Sequence, residues 1–252
     1  MAIKCNCGLD VHLASQVQKL LFPKGSPLCT WCCIGVKNRM ARGLGGDYFD
    51  FITMPDNCQL VLIGDVTGHG LHASVVMSLL YGFIHRASLN QCDCLKIATD
   101  INEFLEDFSR RSEELDHFFS TTFFCGIIHP EKLIIHYVNA GHVAPLVRQG
   151  DDIRVLKNTA QPLGFFADPE IEMESFQFQK HDRFLLYTDG VTEAFNDNGE
   201  VFGRKRLEDI LRKDRSDHLT FLDNLFQTLE DFGGNISQED DRTGICIDFH
   251  GL

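Results

Sequence analysis

Apolar residues recur at helical spacing in three segments of the first half of the chain. Residues 11–22 form the first segment, which ends at Pro23-Lys24-Gly25, where proline and glycine stop a helix. Residues 71–87 and 95–108 keep the same period over longer stretches. We therefore predict an N-terminal amphipathic helix within residues 10–23 and two long helices in the middle of the chain.

Short runs with strand-like alternation fill much of the remaining sequence, between turns rich in glycine, proline or asparagine. The predicted strands cover residues 30–37, 47–53, 59–65, 121–128, 133–139, 144–148, 171–179, 183–188 and 243–249. Two further helices are predicted over residues 203–212 and 218–232. Strands are grouped apart from helices, which indicates the α+β class, with a sandwich of largely antiparallel sheets flanked by helices. No repeat or linker divides the chain, so we expect one domain over residues 1–252.

Length and charge narrow the range of functions. A chain of 252 residues with 44% hydrophobic content can bury a sizeable core. Its formal net charge of −13 argues against a nucleic-acid partner, because phosphate backbones are bound through clustered lysine and arginine. No run approaches the roughly 18 apolar residues that span a bilayer, and the N-terminus does not resemble a secretory signal. We expect a cytoplasmic protein that binds neither nucleic acid nor membrane.

The ten cysteines are spread through predicted strands and helices. Cys29, Cys32 and Cys33 could suggest a zinc cluster, yet no second Cys-X-X-Cys pair or nearby histidine pair completes a tetrahedral set. The same residues fit an apolar strand. We therefore expect reduced, mostly buried thiols that take no nucleophilic part.

Acidic residues occur at four places where an apolar run meets a turn. They are Asp47 in Gly45-Gly46-Asp47, Asp65 in Gly64-Asp65-Val66-Thr67-Gly68-His69-Gly70, Asp189 in Thr188-Asp189-Gly190, and Asp240 in Glu239-Asp240-Asp241-Arg242-Thr243. Strand ends hold side chains rigidly, and adjacent glycines let backbone carbonyls approach a ligand. Hard cations such as Mg²⁺ and Mn²⁺ prefer such oxygen ligands. One Asp-Gly pair is an ordinary turn former, but four such motifs together predict a metal site.

These motifs resemble those of the SpoIIE branch of the PPM (type-2C) protein phosphatases in order and spacing. The segments that carry the resemblance are residues 45–50, 63–70, 186–194 and 240–243, with weaker matches at 14–23, 139–142 and 162–164. The resemblance therefore extends over nearly the whole chain. It implies a four-layer α-β-β-α sandwich with a two-metal Mn²⁺ or Mg²⁺ centre at one edge of two central sheets.

The resemblance also implies a role for each acidic residue. Asp47 and Asp65 would bind the metals, with Asp65 between them and the Val66 carbonyl as a further ligand. Asp189 and Asp240 would complete the shell of one ion. The expected chemistry is direct hydrolysis, because two cations activate a shared water and neutralise charge on the phosphoryl oxygens without a phosphoenzyme.

Several assignments stay open on the sequence alone. His69 is a candidate general acid toward the leaving serine or threonine oxygen, and a histidine merely tolerated in a loop is the alternative. Asp241 is either a partner that supports Asp240 or, if the motif is shifted by one residue, the ligand itself. His142 is expected to support a turn near the cleft.

An arginine that binds substrate phosphate in many eukaryotic type-2C enzymes has no match in the first predicted strand. Arg39 and Arg42 are the candidates for that role, although loop arginines are more often simply solvated. The SpoIIE branch dephosphorylates serine or threonine on anti-sigma-factor antagonist proteins in bacterial partner-switching pathways, so we expect a phosphorylated antagonist as substrate.

Regulation and the rival functions complete the sequence-based picture. The helix within residues 10–23 is expected to dock a regulatory partner or a second copy of the chain, with packing on its own domain as the alternative. A non-catalytic, phosphatase-like binding module is the main rival to the enzyme. A metal-dependent phosphodiesterase or nuclease is a weaker rival, because it would want a basic surface for its substrate.

Overall fold

In the computed structural model, the described residues are 7–25, 27, 29–54, 57–68, 70–88, 93–111, 119–234 and 238–251. The helices are α1 (Cys7–Leu21), α2 (Leu71–Ser88), α3 (Cys94–Arg111), α4 (Asp189–Thr192), α5 (Gly203–Lys213) and α6 (His218–Gly233). The strands are β1 (Cys32–Arg39), β2 (Asp47–Thr53), β3 (Gln59–Val66), β4 (Thr121–His129), β5 (Ile134–Ala140), β6 (Leu146–Gln149), β7 (Asp152–Val155), β8 (Glu174–Gln177), β9 (Arg183–Tyr187) and β10 (Arg242–Phe249).

These strands form two five-stranded sheets in which neighbouring strands pair antiparallel. The first, called sheet A here, has the order β1-β10-β9-β6-β7, and sheet B has the order β2-β3-β4-β5-β8. In sheet A, β1 pairs along its length with β10, the last strand of the chain. Segments that are far apart in sequence therefore lie side by side.

Strand β3 shows how the layers are built. Leu60 and Leu62 pack in the cluster that includes α2 and α3, whereas Val61 and Ile63 pack between the two sheets. All four side chains are at most 1% exposed. Because both faces of sheet B are covered, β3 reads in the sequence as a continuous apolar run instead of an alternation.

Sheet A is covered in the same way. Leu185 and Cys246 pack against helix residues such as Phe221, and Leu186 and Ile245 point into the layer between the sheets. The order of layers is α2 and α3, sheet B, sheet A, then α4, α5 and α6. The predicted α+β class and the four-layer α-β-β-α sandwich are confirmed.

Element boundaries differ from the sequence prediction in a few places. The helix α1 begins at Cys7, before the predicted start, and the predicted strand at residues 171–179 is shortened to β8. The strand β7 was not predicted, because its four residues are mostly exposed at a sheet edge and carry little apolar alternation. The short helix α4 was predicted only as a turn. None of the helices in the described ranges is long and apolar enough to cross a membrane.

The cysteines at positions 29, 32, 33, 58, 94, 125 and 246 are free thiols. Cys32 and Cys33 lie in β1, in agreement with the apolar-strand interpretation. Cys58, Cys125 and Cys246 are buried. The buried thiols therefore behave as small apolar residues of the core, whereas Cys29 and Cys33 are partly exposed.

Candidate active site

The four acidic segments meet at one end of the sandwich. Asp47 is the first residue of β2 and pairs in register with Asp65, near the end of β3. Asp189 begins α4, with one residue between it and the end of β9, and Asp240 lies just before β10. The charges of Asp47, Asp189 and Asp240 all act on Asp65, so these side chains lie within electrostatic reach of it. Sheet B thus supplies two of the carboxylates, and the ends of sheet A supply the other two.

Glycine is required where these segments cross. A Cβ atom on Gly46 would lie 2.6 Å from Asp65 Oδ1 and 2.7 Å from the carbonyl oxygen of Val66. A Cβ atom on Gly190 would lie 2.0 Å from the carbonyl oxygen of Asp241. Approaches this close exclude a side chain. The Gly-Gly-Asp and Asp-Gly motifs are therefore explained by how tightly the turns pack around the acidic residues.

Asp47 is buried and held by two hydroxyl groups. Its side chain is 1% exposed. Thr188 Oγ1 donates a hydrogen bond to Asp47 Oδ2 at 2.9 Å, and Thr243 Oγ1 donates to the same oxygen at 2.5 Å. Burial raises the pKa of Asp47 well above its ordinary value, and the charges of Asp241 and Asp189 add to the rise that the hydroxyl groups oppose.

Asp65 shows most clearly that the charge of the cluster is not compensated. Burial, followed by the charges of Asp47 and Asp189, raises the pKa of Asp65 to about 9. Burial and the charge of Asp240 also raise the pKa of Asp189. The largest contributions to both shifts thus come from desolvation and from other carboxylates. A divalent cation would replace this repulsion by attraction.

The two neighbouring acids of the last motif have different surroundings. Asp241 is 7% exposed, and its Oδ1 accepts a hydrogen bond from the backbone N–H of Ala41 at 2.8 Å. The backbone N–H groups of Asp47 and Gly46 also bond to its carboxylate. Asp240 is exposed, and its Oδ1 accepts from the backbone N–H of Asp241 at 2.8 Å. Asp241 therefore fastens the loop before β2, while the carboxylate of Asp240 stays open to solvent beside the cluster.

The N-terminal helix contacts the same loop through Gln18. This side chain is 2% exposed, its Nε2 donates to the Gly45 carbonyl oxygen at 2.7 Å, and its Oε1 accepts from the Gly45 N–H at 3.2 Å. The two hydrogen bonds tie α1 to the backbone just before Asp47. Sequence reasoning missed this contact, because hydrophobic periodicity does not reveal which polar side chain of a helix becomes buried.

Of the two histidines named from the sequence, His69 lies outside the described residues. His142 follows β5 and is 2% exposed. Its Nδ1 lies 2.9 Å from Thr122 Oγ1, and its backbone N–H donates to Asn139 Oδ1 at 3.0 Å. Burial lowers the pKa of His142 to about 4, so the ring is neutral at pH 7. These contacts are those of a residue that supports the turn after β5.

Arginines lie at the paired ends of β1 and β10, beside the acidic cluster. Arg39 pairs in register with Arg242 and forms an ion pair with Glu230 of α6. Arg242 is half-buried, the charge of Asp240 acts on it, and its buried Nε has no hydrogen-bond partner among the described residues. Arg39 and Arg42 were the candidates named from the sequence, and Arg242 was not, although it lies inside the last acidic motif.

A hard cation is the ligand that this donor set fits. Within the described ranges, no group of three or more His, Cys, Asp or Glu side chains is arranged to hold a metal ion. The chemistry of the donors nevertheless suits Mg²⁺ or Mn²⁺, which keep several waters and need only a few protein carboxylates. The Val66 carbonyl oxygen and Asp65 Oδ1 both adjoin Gly46, so they bring two oxygens to one place.

Comparison with known proteins identifies the family. Residues 55–250 match the family model described as Stage II sporulation protein E (SpoIIE). The chain belongs to the SpoIIE family. The SpoIIE match contains Asp65, Asp189 and Asp240, and Asp47 lies just before it.

Two relatives share sequence with this SpoIIE-family chain. Protein IcfG of Synechocystis sp. (strain ATCC 27184 / PCC 6803 / Kazusa) is 26% identical over 262 residues, which cover 95% of this chain and 41% of IcfG. Phosphoserine phosphatase RsbP of Bacillus subtilis (strain 168) is 30% identical over 156 residues, which cover 60% of this chain and 37% of RsbP. The chain therefore matches less than half the length of either relative.

A solved structure agrees with the SpoIIE-type fold. The SiaA-PP2C domain of Pseudomonas aeruginosa has a TM-score of 0.80 to this chain at 20% identity. The likeness covers 96% of this chain and 97% of that domain. It shows that the two proteins share the same fold.

Proposed function

We propose that this chain is a metal-dependent phosphatase that hydrolyses phosphoserine or phosphothreonine in a protein. The meeting of acidic side chains from both sheets carries the proposal: Asp47 pairs in register with Asp65, and Thr188, the residue before Asp189, donates a hydrogen bond to Asp47. Membership in the SpoIIE family supports it, as does the name phosphoserine phosphatase given to a relative that is 30% identical. These observations favour an enzyme over a non-catalytic, phosphatase-like binding module.

Two Mn²⁺ or Mg²⁺ ions are proposed to bind at this end of the sandwich. Their proposed ligands are the carboxylates of Asp47, Asp65, Asp189 and Asp240 and the carbonyl oxygen of Val66. Asp240 is preferred to Asp241 because backbone N–H groups of the loop before β2 already occupy the Asp241 carboxylate. When bound, the ions supply an activated water and offset charge on the phosphoryl oxygens.

The chain's own residues have distinct proposed roles in the reaction. Asp65 would help to bind both ions, because carboxylates from both sheets act on it. His69, four residues after Asp65 in the sequence, is proposed as the general acid toward the leaving serine or threonine oxygen. His142 does not suit that role, because burial lowers its pKa to about 4 and the acidic imidazolium form is therefore scarce at pH 7.

Hydrolysis of an aryl phosphate tests the chemistry. We expect activity with Mn²⁺, and we expect that a chelator or the substitution Asp65→Asn abolishes it. Asp182→Asn is the matched control, because Asp182 is a buried aspartate that bonds to Gln149 and to the backbone of Gln179, outside the acidic cluster. Activity that survives both chelator and Asp65→Asn would end the two-metal proposal. Mn²⁺ binding without hydrolysis would favour the binding module.

The proposed substrate is a phosphorylated anti-sigma-factor antagonist in a bacterial partner-switching pathway. Membership in the SpoIIE family is the support for this finer assignment. The test is to incubate the chain and Mn²⁺ with an antagonist phosphorylated on serine and to measure released phosphate. If an aryl phosphate is cleaved and the antagonist is not, the substrate assignment fails while the chemistry stands.

Helix α1 is proposed as the docking helix of a single domain that spans residues 1–252. One side of it contacts the sandwich, because Gln18 is buried and Phe22, just beyond the helix, stacks on Phe49 with ring centroids 4.8 Å apart. The other side exposes Val17 and Leu20. We assign this stripe to a second copy of the chain, because the neighbouring helix α2 also exposes apolar side chains and two such faces can pack on each other.

Sedimentation velocity tests this assignment. The parent chain is expected to form a dimer that Val17→Asp dissociates, whereas Gln16→Asp, at an exposed polar position of the same helix, leaves it intact. If the parent chain is a monomer, the dimer assignment fails and the exposed stripe is left for a separate regulatory protein.

A further inference from the structure

A chain of hydrogen bonds through two buried threonines joins sheet A to Asp47. Asn38 of β1 donates through Nδ2 to Thr243 Oγ1 at 2.8 Å. Thr243 Oγ1 and Thr188 Oγ1 donate to Asp47 Oδ2 at 2.5 Å and 2.9 Å. The backbone N–H of Thr243 donates to Thr188 Oγ1 at 3.0 Å. Both threonine side chains are 0% exposed, so water does not compete for these bonds.

The direction of the hydrogen bonds follows from what each hydroxyl group accepts. Thr243 Oγ1 accepts from the Asn38 amide, and Thr188 Oγ1 accepts from the Thr243 backbone. A hydroxyl group has a single proton, so each threonine donates that proton to Asp47. Because both bonds fall on Oδ2, they leave Oδ1 of Asp47 as the oxygen for a cation.

The bonds also cross between the sheets. Asp47 begins β2 in sheet B, whereas Asn38 and Thr243 lie in sheet A and Thr188 directly follows β9 of sheet A. Thr188 precedes Asp189 in the chain. The hydroxyl groups that orient a carboxylate of sheet B therefore belong to residues close in sequence to Asp189 and Asp240, at the end of sheet A.

We propose that Thr188, Thr243 and Asn38 are positioning residues that fix the orientation of Asp47 and so set how tightly the acidic cluster binds a divalent cation. The inference rests on the proposed function, since it assigns Asp47 to the metal site. A carboxylate that is already oriented loses little side-chain freedom when the cation binds. Groups that orient metal ligands typically contribute about 10-fold to 100-fold to metal affinity when they are removed one at a time.

Calorimetric titration with Mn²⁺ tests the proposal directly, without relying on activity. Thr188→Val and Thr243→Val keep the side-chain volume and remove the hydroxyl donor. Each is expected to weaken Mn²⁺ binding by about 10-fold to 100-fold. Thr188→Ser restores the donor and is expected to keep the affinity within about threefold of the parent chain.

Thr159→Val is the matched control. Thr159 is a buried threonine whose Oγ1 accepts from the Asn139 backbone N–H at 2.9 Å, so the variant also loses a buried hydrogen bond. Its melting temperature is expected to fall while its Mn²⁺ affinity stays at the parent value. If Thr188→Val and Thr243→Val behave like this control, the hydrogen bonds only join the sheets and the proposal is overturned.

Asn38→Ala keeps the test decisive if the valine variants do not fold. Asn38 is half-buried, and its removal leaves both threonine hydroxyl groups in place. Mn²⁺ binding is expected to weaken several-fold, and an unchanged affinity would contradict the proposal. If the parent chain binds Mn²⁺ and hydrolyses aryl phosphate, and every variant binds Mn²⁺ equally well, this inference fails and the proposed function stands. If the parent chain binds no Mn²⁺, both this inference and the proposed function fail.

Discussion

A carboxylate that is buried beside other carboxylates is unstable in its charged form. Burial and neighbouring acids raise the pKa of Asp65 to about 9, so the proton that a carboxyl group normally releases near pH 4 is retained. Hydrogen bonds stabilise part of the charge at two other acids of the cluster. Asp47 accepts them from threonine hydroxyl groups, and Asp241 accepts them from backbone N–H groups. A divalent cation would relieve more of it, because it attracts all the carboxylates at once.

The substitution Asp65→Asn is expected to stabilise the metal-free protein while it removes activity. An amide keeps the shape of the side chain and carries no charge to desolvate, so we expect a gain of roughly 2 kcal/mol in the free energy of unfolding with chelator present at pH 8. Denaturant unfolding measures it. Asp182→Asn is the control and is expected to gain less than Asp65→Asn, because hydrogen bonds from Gln149 and Gln179 offset part of the burial that raises the pKa of Asp182. A loss of stability in Asp65→Asn would show that its charge is already compensated.

Asp240→Asn and Asp241→Asn are expected to fail in different ways. Asp240 is exposed, so its substitution should weaken Mn²⁺ binding by at least about 10-fold and change the melting temperature little. Asp241 fastens the loop at Ala41, so its substitution should lower the unfolding free energy by about 1–3 kcal/mol. Calorimetry with Mn²⁺ and thermal unfolding of both variants separate the two roles. The reverse pattern would make Asp241 the metal ligand.

At the scale of secondary-structure elements, the hydrophobic pattern predicted the helices and strands whose side chains are buried, and it predicted exposed elements poorly. Strand β3 and helix α2 were predicted closely, because their side chains pack in large apolar clusters. Strand β7 was missed, because exposed residues at a sheet edge follow no apolar rule. The glycine and aspartate motifs located the candidate site. The orientation of Gln18 and the difference between Asp240 and Asp241 could not be predicted, because they depend on tertiary hydrogen bonds between distant segments.

The contact between α1 and the site loop predicts that the helix affects the cluster. Gln18→Ala removes two buried hydrogen bonds to Gly45, so we expect a loss of about 1–3 kcal/mol in unfolding free energy and a several-fold weaker affinity for Mn²⁺. Gln16→Ala, at an exposed position of the same helix, is the control and should change neither quantity. Thermal unfolding and calorimetry measure the two effects. Unchanged Mn²⁺ affinity in Gln18→Ala would show that α1 and the cluster are independent.

At the scale of the whole molecule, the raised pKa values predict how stability depends on pH. The pKa of Asp65 is about 9 in the folded chain and about 4 when unfolded, so the folded state holds the extra proton between these values. The stability that this group contributes is fully present below about pH 4 and is lost as pH rises through about 9. Asp47 and Asp189 shift in the same direction and add to the loss.

Unfolding free energies measured from pH 5 to pH 9 with chelator should therefore decline as pH rises. Saturating Mn²⁺ should reverse the slope, because the bound ion favours the ionised carboxylates. Asp65→Asn in chelator should show a flatter profile than the parent chain. A parent profile that is flat in chelator would contradict the raised pKa of the cluster.

The layer between the two sheets has a consequence for the kind of ion that the proposed metal site would accept. The carboxylates are divided between the sheets, and aromatic side chains keep the sheets apart: Phe124 meets Phe184 with ring centroids 6.0 Å apart, and Phe178 stacks on Phe249 at 4.1 Å. The packing of these rings therefore influences the distance between the carboxylate oxygens of the two sheets at the end of the sandwich. The radius of the ion that fits would then depend on aromatic side chains in the core that do not themselves contact the ion.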